Sequence, residues 1–195
     1  MSLTESTMLP LGTAAPDFEL TDAVSGNQRT FGDVAGSKGT LVMFLSAHCP
    51  FVVHIQEALG ALSREYASQP VGWAAVGSNA TENEKYAQDR PQGLAAQAQS
   101  NGFEFPYLVD ESQDVAKAYT AACTPDFFLF DGDRRLVYRG QFDSSRPSTG
   151  TPATGDDLRA ALDALISGAE VPQRQMPSIG CNIKWRPGAE PAYFG

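Results

Sequence analysis

The chain has 195 residues, 42% of them hydrophobic and 19% charged, with a formal net charge of −9. That length suits one domain, or one domain with an extension, and it buries enough apolar surface to form a core without disulfide or metal staples. The composition excludes disorder, the 14 scattered Lys and Arg give no basic footprint for nucleic acid, and no apolar run reaches membrane-spanning length.

The opening MSLTESTMLPLG reads as loose chain, and it lacks the basic start and apolar core of a secretory signal, so a cytoplasmic location is expected. Ala15–Leu20 and Gln28–Phe31 flank a turn at Ser25-Gly26-Asn27, the pattern of a short hairpin. Thr40–Ser46 is a continuous apolar run, which marks a strand covered on both faces. After Cys49-Pro50 a helix is expected to about Tyr66, with one apolar stripe at Val52, Ile55, Leu59 and Leu62.

Val71–Ser78 is the next buried strand. Glu82–Ser100 is helical in composition but broken at Arg90-Pro91. Tyr107–Val109 reads as a strand and Ser112–Tyr119 as a short helix. Phe127–Phe130 and Leu136–Phe142 flank Asp131-Gly132-Asp133 as an antiparallel hairpin. Ser144–Gly155 is loop, and Asp156–Ser167 is an amphipathic helix stopped by Gly168. Beyond Ala169 no periodicity is visible, although Ile179, Trp185, Tyr193 and Phe194 are unlike a disordered tail. This order predicts an α/β sandwich with helices on both faces of a mixed sheet.

Three cysteines, Cys49, Cys123 and Cys181, lie far apart. An odd number without a signal peptide is no structural disulfide framework, and no zinc-type spacing is present. Cys49 stands where a buried strand gives way to a helix, with Pro50 in the first turn. Free backbone N–H groups and the positive end of the helix dipole favour thiolate over thiol there, and a lowered pKa makes the sulfur a better nucleophile at neutral pH. The plainer reading of any of the three is a small buried hydrophobe. His48 is a candidate neighbouring cation or proton donor, and His54 an ordinary helix residue. Cys49, His48 and His54 at one helix end make poor metal geometry, so neither metal nor other cofactor is expected.

Ser46-Ala47-His48-Cys49-Pro50 after an apolar strand, and Thr124-Pro125-Asp126-Phe127-Phe128 before a hairpin, resemble the thioredoxin superfamily. Ala15-Pro16-Asp17-Phe18 and Pro177–Trp185 extend the likeness to the alkyl hydroperoxide reductase/thiol-specific antioxidant branch and its peroxiredoxin-like group. The resemblance implies a thioredoxin-like α/β fold over residues 12–168, with 169–195 a tail packed on or swapped from it. It makes Cys49 the redox cysteine, and Thr124 and a cis Pro125 the substrate groove beside Pro50. It implies that Ser46 hydrogen-bonds the thiolate or peroxide, and that Cys123, Cys181 on a mobile or swapped tail, or an external thiol resolves the oxidised sulfur.

The departures from that pattern carry information. Val52 stands where disulfide carriers have a second cysteine. Val42 replaces a usual proline, and Pro125 stands where peroxiredoxins place the peroxide-orienting arginine, with Arg139 or Arg146 as possible substitutes. Losing one such donor typically costs about 10² to 10³ in rate, so disulfide exchange is expected to outrun peroxide reduction. The expected activity is thiol oxidoreduction, with an oxidised substrate and a thiol reductant such as thioredoxin or glutathione as partners. The alternative is a non-catalytic module that holds a peptide in the cis-proline groove.

Overall fold

The structure, a computed structural model, describes residues 3–194; Met1, Ser2 and Gly195 lie outside the described residues. In chain order the strands are β1 Leu3–Glu5, β2 Glu19–Asp22, β3 Gln28–Thr30, β4 Gly39–Phe44, β5 Val71–Gly77, β6 Tyr107–Val109, β7 Cys123–Thr124, β8 Asp126–Asp131, β9 Leu136–Gly140 and β10 Ile179–Asn182. The helices are α1 Phe31–Val34, α2 Pro50–Tyr66, α3 Pro91–Asn101, α4 Asp114–Ala118 and α5 Asp156–Ser167, with a 3-10 turn over Glu84–Asp89 before α3. The expected break at Arg90-Pro91 therefore separates two helical pieces, with Pro91 opening the second.

Among the described residues, seven strands form one mixed sheet in the order β3-β2-β6-β5-β4-β8-β9. β4 runs parallel to β5, and β5 to β6, while the β8–β9 hairpin and the β2–β3 hairpin are antiparallel. This is the thioredoxin-like sandwich. Its centre is β4, in which Leu41 to Phe44 are fully buried. Alternation along that strand divides the core: Leu41, Met43 and Leu45 face Val52, Ile55, Leu59 and Leu62 of α2, with Leu158 and Leu162 of α5. Val42 and Phe44 face Phe31, Tyr119, Phe128 and Phe130 on the other side. There Phe44 meets Phe128 edge to face, with centroids 5.8 Å apart at 87°. Each such fully buried side chain contributes about 1.5–3 kcal/mol of transfer free energy.

Two segments depart from expectation. The opening, expected to be loose, forms β1, and the aperiodic tail forms β10. Both join β7 in a second, three-stranded antiparallel sheet ordered β1-β10-β7. Cys181 pairs with Leu3 on one side and Thr124 on the other. Gly180 makes the approach possible, because a Cβ there would lie 1.9 Å from the Thr124 carbonyl oxygen. Beyond β10 the tail stays fastened: Ile183 N–H donates to Ala122 O at 3.0 Å, and Gln113 Nε2 donates to the Lys184 carbonyl at 2.9 Å.

Candidate active site

Cys49 is the N-cap residue of α2, with extended φ/ψ of −76° and 120°, and Pro50 occupies the first helical position. Its sulfur is fully buried. The Thr124–Pro125 bond facing it is cis, as expected. As a thiol, Cys49 donates to the Thr124 carbonyl at 3.2 Å. The surroundings favour the anion more strongly. The Cys181 thiol donates to the Cys49 sulfur, and the Thr124 hydroxyl and the N–H groups of Val52 and Cys181 add to it. Against the opposing effect of burial, these draw the Cys49 pKa down from 9.0 to about 5. The Thr124 hydroxyl is buried with no other partner, which leaves it free for this work.

Cys181 moves the opposite way. Its hydrogen bond to Cys49, then burial and the Cys49 charge, push its thiol far above the ordinary range. The two sulfurs titrate as a coupled pair in which the negative charge is favoured on Cys49. Cys123 is also buried, but its sulfur turns to the carbonyls of Pro125 at 3.6 Å and Ser178 at 3.9 Å. Burial, then the charges of Asp126 and Cys49, push its thiol up. The structure therefore brings Cys181, not Cys123, into contact with Cys49.

The expected contact of Ser46 with the Cys49 sulfur is not made. The Ser46 hydroxyl donates to Asp89, with both carboxylate oxygens 3.1 Å away, and lies 3.0 Å from His48 Nδ1. His48 likewise faces Asp89, with Nδ1 2.5 Å from Oδ2, and its ring packs on Tyr86. The physical reason is the buried Asp89 carboxylate, which needs donors and also takes Ala47 N–H at 2.6 Å. Burial works to raise its pKa, but His48, Asn79 and Ser46 outweigh that and hold the carboxyl below the usual range. No motif pointed to Asp89, since it lies about 40 residues beyond the loop it supports.

Neither arginine considered as a substitute is directed at the sulfur. Arg139 donates to Leu9 O and Gln175, and Arg146 to Asp143 O, Ser145 O and Gln141. A cation missed in the sequence is Lys184, half-buried in the tail with its ammonium 5.8 Å from the Tyr86 ring centre and its charge favourable to both Cys49 and Cys181. His54 bonds Ser145 across 2.9 Å, beside a shallow depression lined by Phe51, Pro125, Phe142 and Ile179. Among the described residues no group of three or more His, Cys, Asp and Glu is arranged to hold a metal, and no helix is long and apolar enough to cross a membrane.

Known proteins resemble this chain to different extents. The thiol-disulfide oxidoreductase ResA of Geobacillus kaustophilus (strain HTA426) is 30% identical over 141 residues, 70% of this chain and 74% of that protein. A crystal structure of an uncharacterized conserved protein from Geobacillus kaustophilus superposes with a TM-score of 0.93 at 50% identity, covering 97% of this chain and 99% of that one. The thioredoxin domain of a thiol-disulfide oxidoreductase from Bacteroides vulgatus, at 19% identity and a TM-score of 0.60 over 81% of this chain and 99% of that one, shares the fold. The family described as Redoxin matches residues 10–157, which hold the β4–α2 junction with Cys49 and the cis-proline loop, and the chain belongs to that family.

Proposed function

We propose that this protein is a thiol–disulfide oxidoreductase whose redox pair is Cys49 and Cys181. The observation that carries the reading is the hydrogen bond from the Cys181 thiol to a Cys49 sulfur drawn down to about pKa 5. A helix-capping thiolate is the attacking group, and a second sulfur already touching it is the resolving group. The thiol-disulfide oxidoreductase activity for which the ResA relative is named supports the class of reaction. Val52 closes the usual route through a second cysteine in the same turn, so the resolving thiol comes from β10 instead.

In the proposed cycle the Cys49 thiolate attacks one sulfur of a substrate disulfide and expels the first substrate thiolate. Cys181 then loses its proton and attacks the Cys49 sulfur, expelling the second. Net, one protein thiolate, one protein thiol, one disulfide and one solvent proton give a protein disulfide and two substrate thiols. A thiol reductant of the thioredoxin or glutathione class, in the cytoplasm, regenerates the pair. Cys49 is fully buried, so the proposed cycle requires the segment around β10, whose Cys181 bonds the Cys49 sulfur, to move aside for substrate. Peroxide is the poorer substrate in this reading, since Pro125 supplies no cation and both nearby arginines are engaged elsewhere.

The test is stopped-flow reaction of the reduced protein with a small disulfide, beside hydrogen peroxide. Cys49→Ser is expected to abolish exchange, and Cys181→Ser to stop at a mixed disulfide on Cys49. A peroxide rate constant of about 10⁶ M⁻¹s⁻¹ or more, exceeding the disulfide rate, would overturn the ranking.

A further inference from the structure

We propose that Asp89 is a positioning residue that holds the two redox cysteines in register, with Asn79 as its arm to the tail. The proposal rests on the Cys49–Cys181 reading and assigns the residue that sets the efficiency of ring closure between them.

Asp89 ends the 3-10 turn Glu84–Asp89, and its side chain is 2% exposed. On one side it takes the N–H groups of Ala47 at 2.6 Å and His48 at 3.3 Å, so it grips the two residues that lead into Cys49. On the other side it takes Asn79 Nδ2 at 2.7 Å. The Oδ1 of that amide accepts the Lys184 N–H at 2.8 Å, three residues past Cys181. The orientation of Asn79 is fixed by chemistry, because a carboxylate only accepts and a backbone N–H only donates. Ala80 N–H closes a second bond to Lys184 O at 2.8 Å. One buried carboxylate therefore links the backbone before Cys49 to the backbone after Cys181.

The sulfurs lie on separate elements: Cys49 at a helix cap, Cys181 on a four-residue strand near the end of the chain. Resolution requires Cys181 to return to the Cys49 sulfur after substrate has displaced it. A misplacement of about 1 Å in such a step lowers rate or equilibrium by up to about 100-fold. The carboxylate needs its charge for this. An amide in its place offers one acceptor oxygen, and its NH₂ group opposes the donors of Ala47, Asn79 and Ser46.

The experiment equilibrates the full chain against glutathione redox buffers and reads the effective molarity of Cys181 toward Cys49. Asp89→Asn is expected to lower it about 10- to 100-fold, which is about 30–60 mV in the potential of the pair. Asn79→Ala, which cuts only the arm to the tail, is expected to lower it about tenfold. A folded Asp89→Asn protein with the wild-type equilibrium overturns the proposal, whatever its melting temperature. Should Asp89→Asn fail to fold, Asn79→Ala decides: an unchanged equilibrium overturns it and a lowered one supports it. Wild-type protein that forms no Cys49–Cys181 disulfide overturns the redox-pair reading and this proposal together; a wild-type disulfide with unaffected variants overturns this proposal alone.

Discussion

A thiolate buried without a cation in hydrogen-bond contact needs donors, and Cys49 has four: the Cys181 thiol, the Thr124 hydroxyl and two backbone amides. The largest of these is the group that forms the disulfide in the proposed cycle, so the acidity of one sulfur and the proton affinity of the other have a common origin. That coupling predicts a proton count. Between pH 5 and the ordinary thiol range, the reduced pair holds one proton and the disulfide none, so two electrons bring one proton. The reduction potential is therefore expected to fall about 30 mV per pH unit there, measured against a redox buffer, where two ordinary thiols fall about 59 mV. A slope of about 59 mV across that range would mean that Cys49 is an ordinary thiol. The placement of Cys49 was legible from the strand-to-helix junction and Pro50. The roles of Ser46 and His48 were not, because the residue that recruits both, Asp89, is brought in by the fold from a distant turn.

At the scale of elements, α2 and α5 were readable nearly to the residue, since each carries its start signal and apolar stripe within one segment: an N-terminal proline in α2, and an acidic first turn with a glycine stop in α5. β1 and β10 were not. Each is three or four residues long, and their partners lie at opposite ends of the chain, so no local period marks them. Yet β10 carries Cys181, and its seat depends on Gly180. Gly180→Ala would place a methyl carbon 1.9 Å from the Thr124 carbonyl oxygen, a backbone atom that cannot swing aside. We expect β10 to shift, at a cost of about 1–3 kcal/mol. Alkylation of Cys181 should then accelerate and disulfide formation with Cys49 slow by at least tenfold. Unchanged alkylation would show that the strand tolerates the added carbon.

Over the whole molecule, stability and redox chemistry respond to pH through different groups. Asp126 follows the cis-proline and is fully buried. Burial pushes its pKa from 3.8 up to about 8, and Ser6 and nearby backbone amides offset only part of this. The folded state therefore binds a proton that the unfolded chain releases, so Asp126 makes stability fall as pH rises from about 4 through 8. Asp126→Asn removes that slope, and thermal melts at pH 5 and pH 8 should converge by several degrees relative to wild type. A difference between the two melts as large as in wild type would place the slope elsewhere. The sandwich itself was legible because β4 and its neighbours are continuous apolar runs, whereas the second sheet that seals the site is assembled from both chain ends. The central claim concerns that seal. Reduced protein is treated with one equivalent of a small disulfide, quenched by alkylation, digested and mapped by mass. The account predicts a Cys49–Cys181 disulfide with Cys123 alkylated as a free thiol; a Cys49–Cys123 disulfide, or a mixed disulfide that persists on Cys49 while Cys181 stays free, would contradict it.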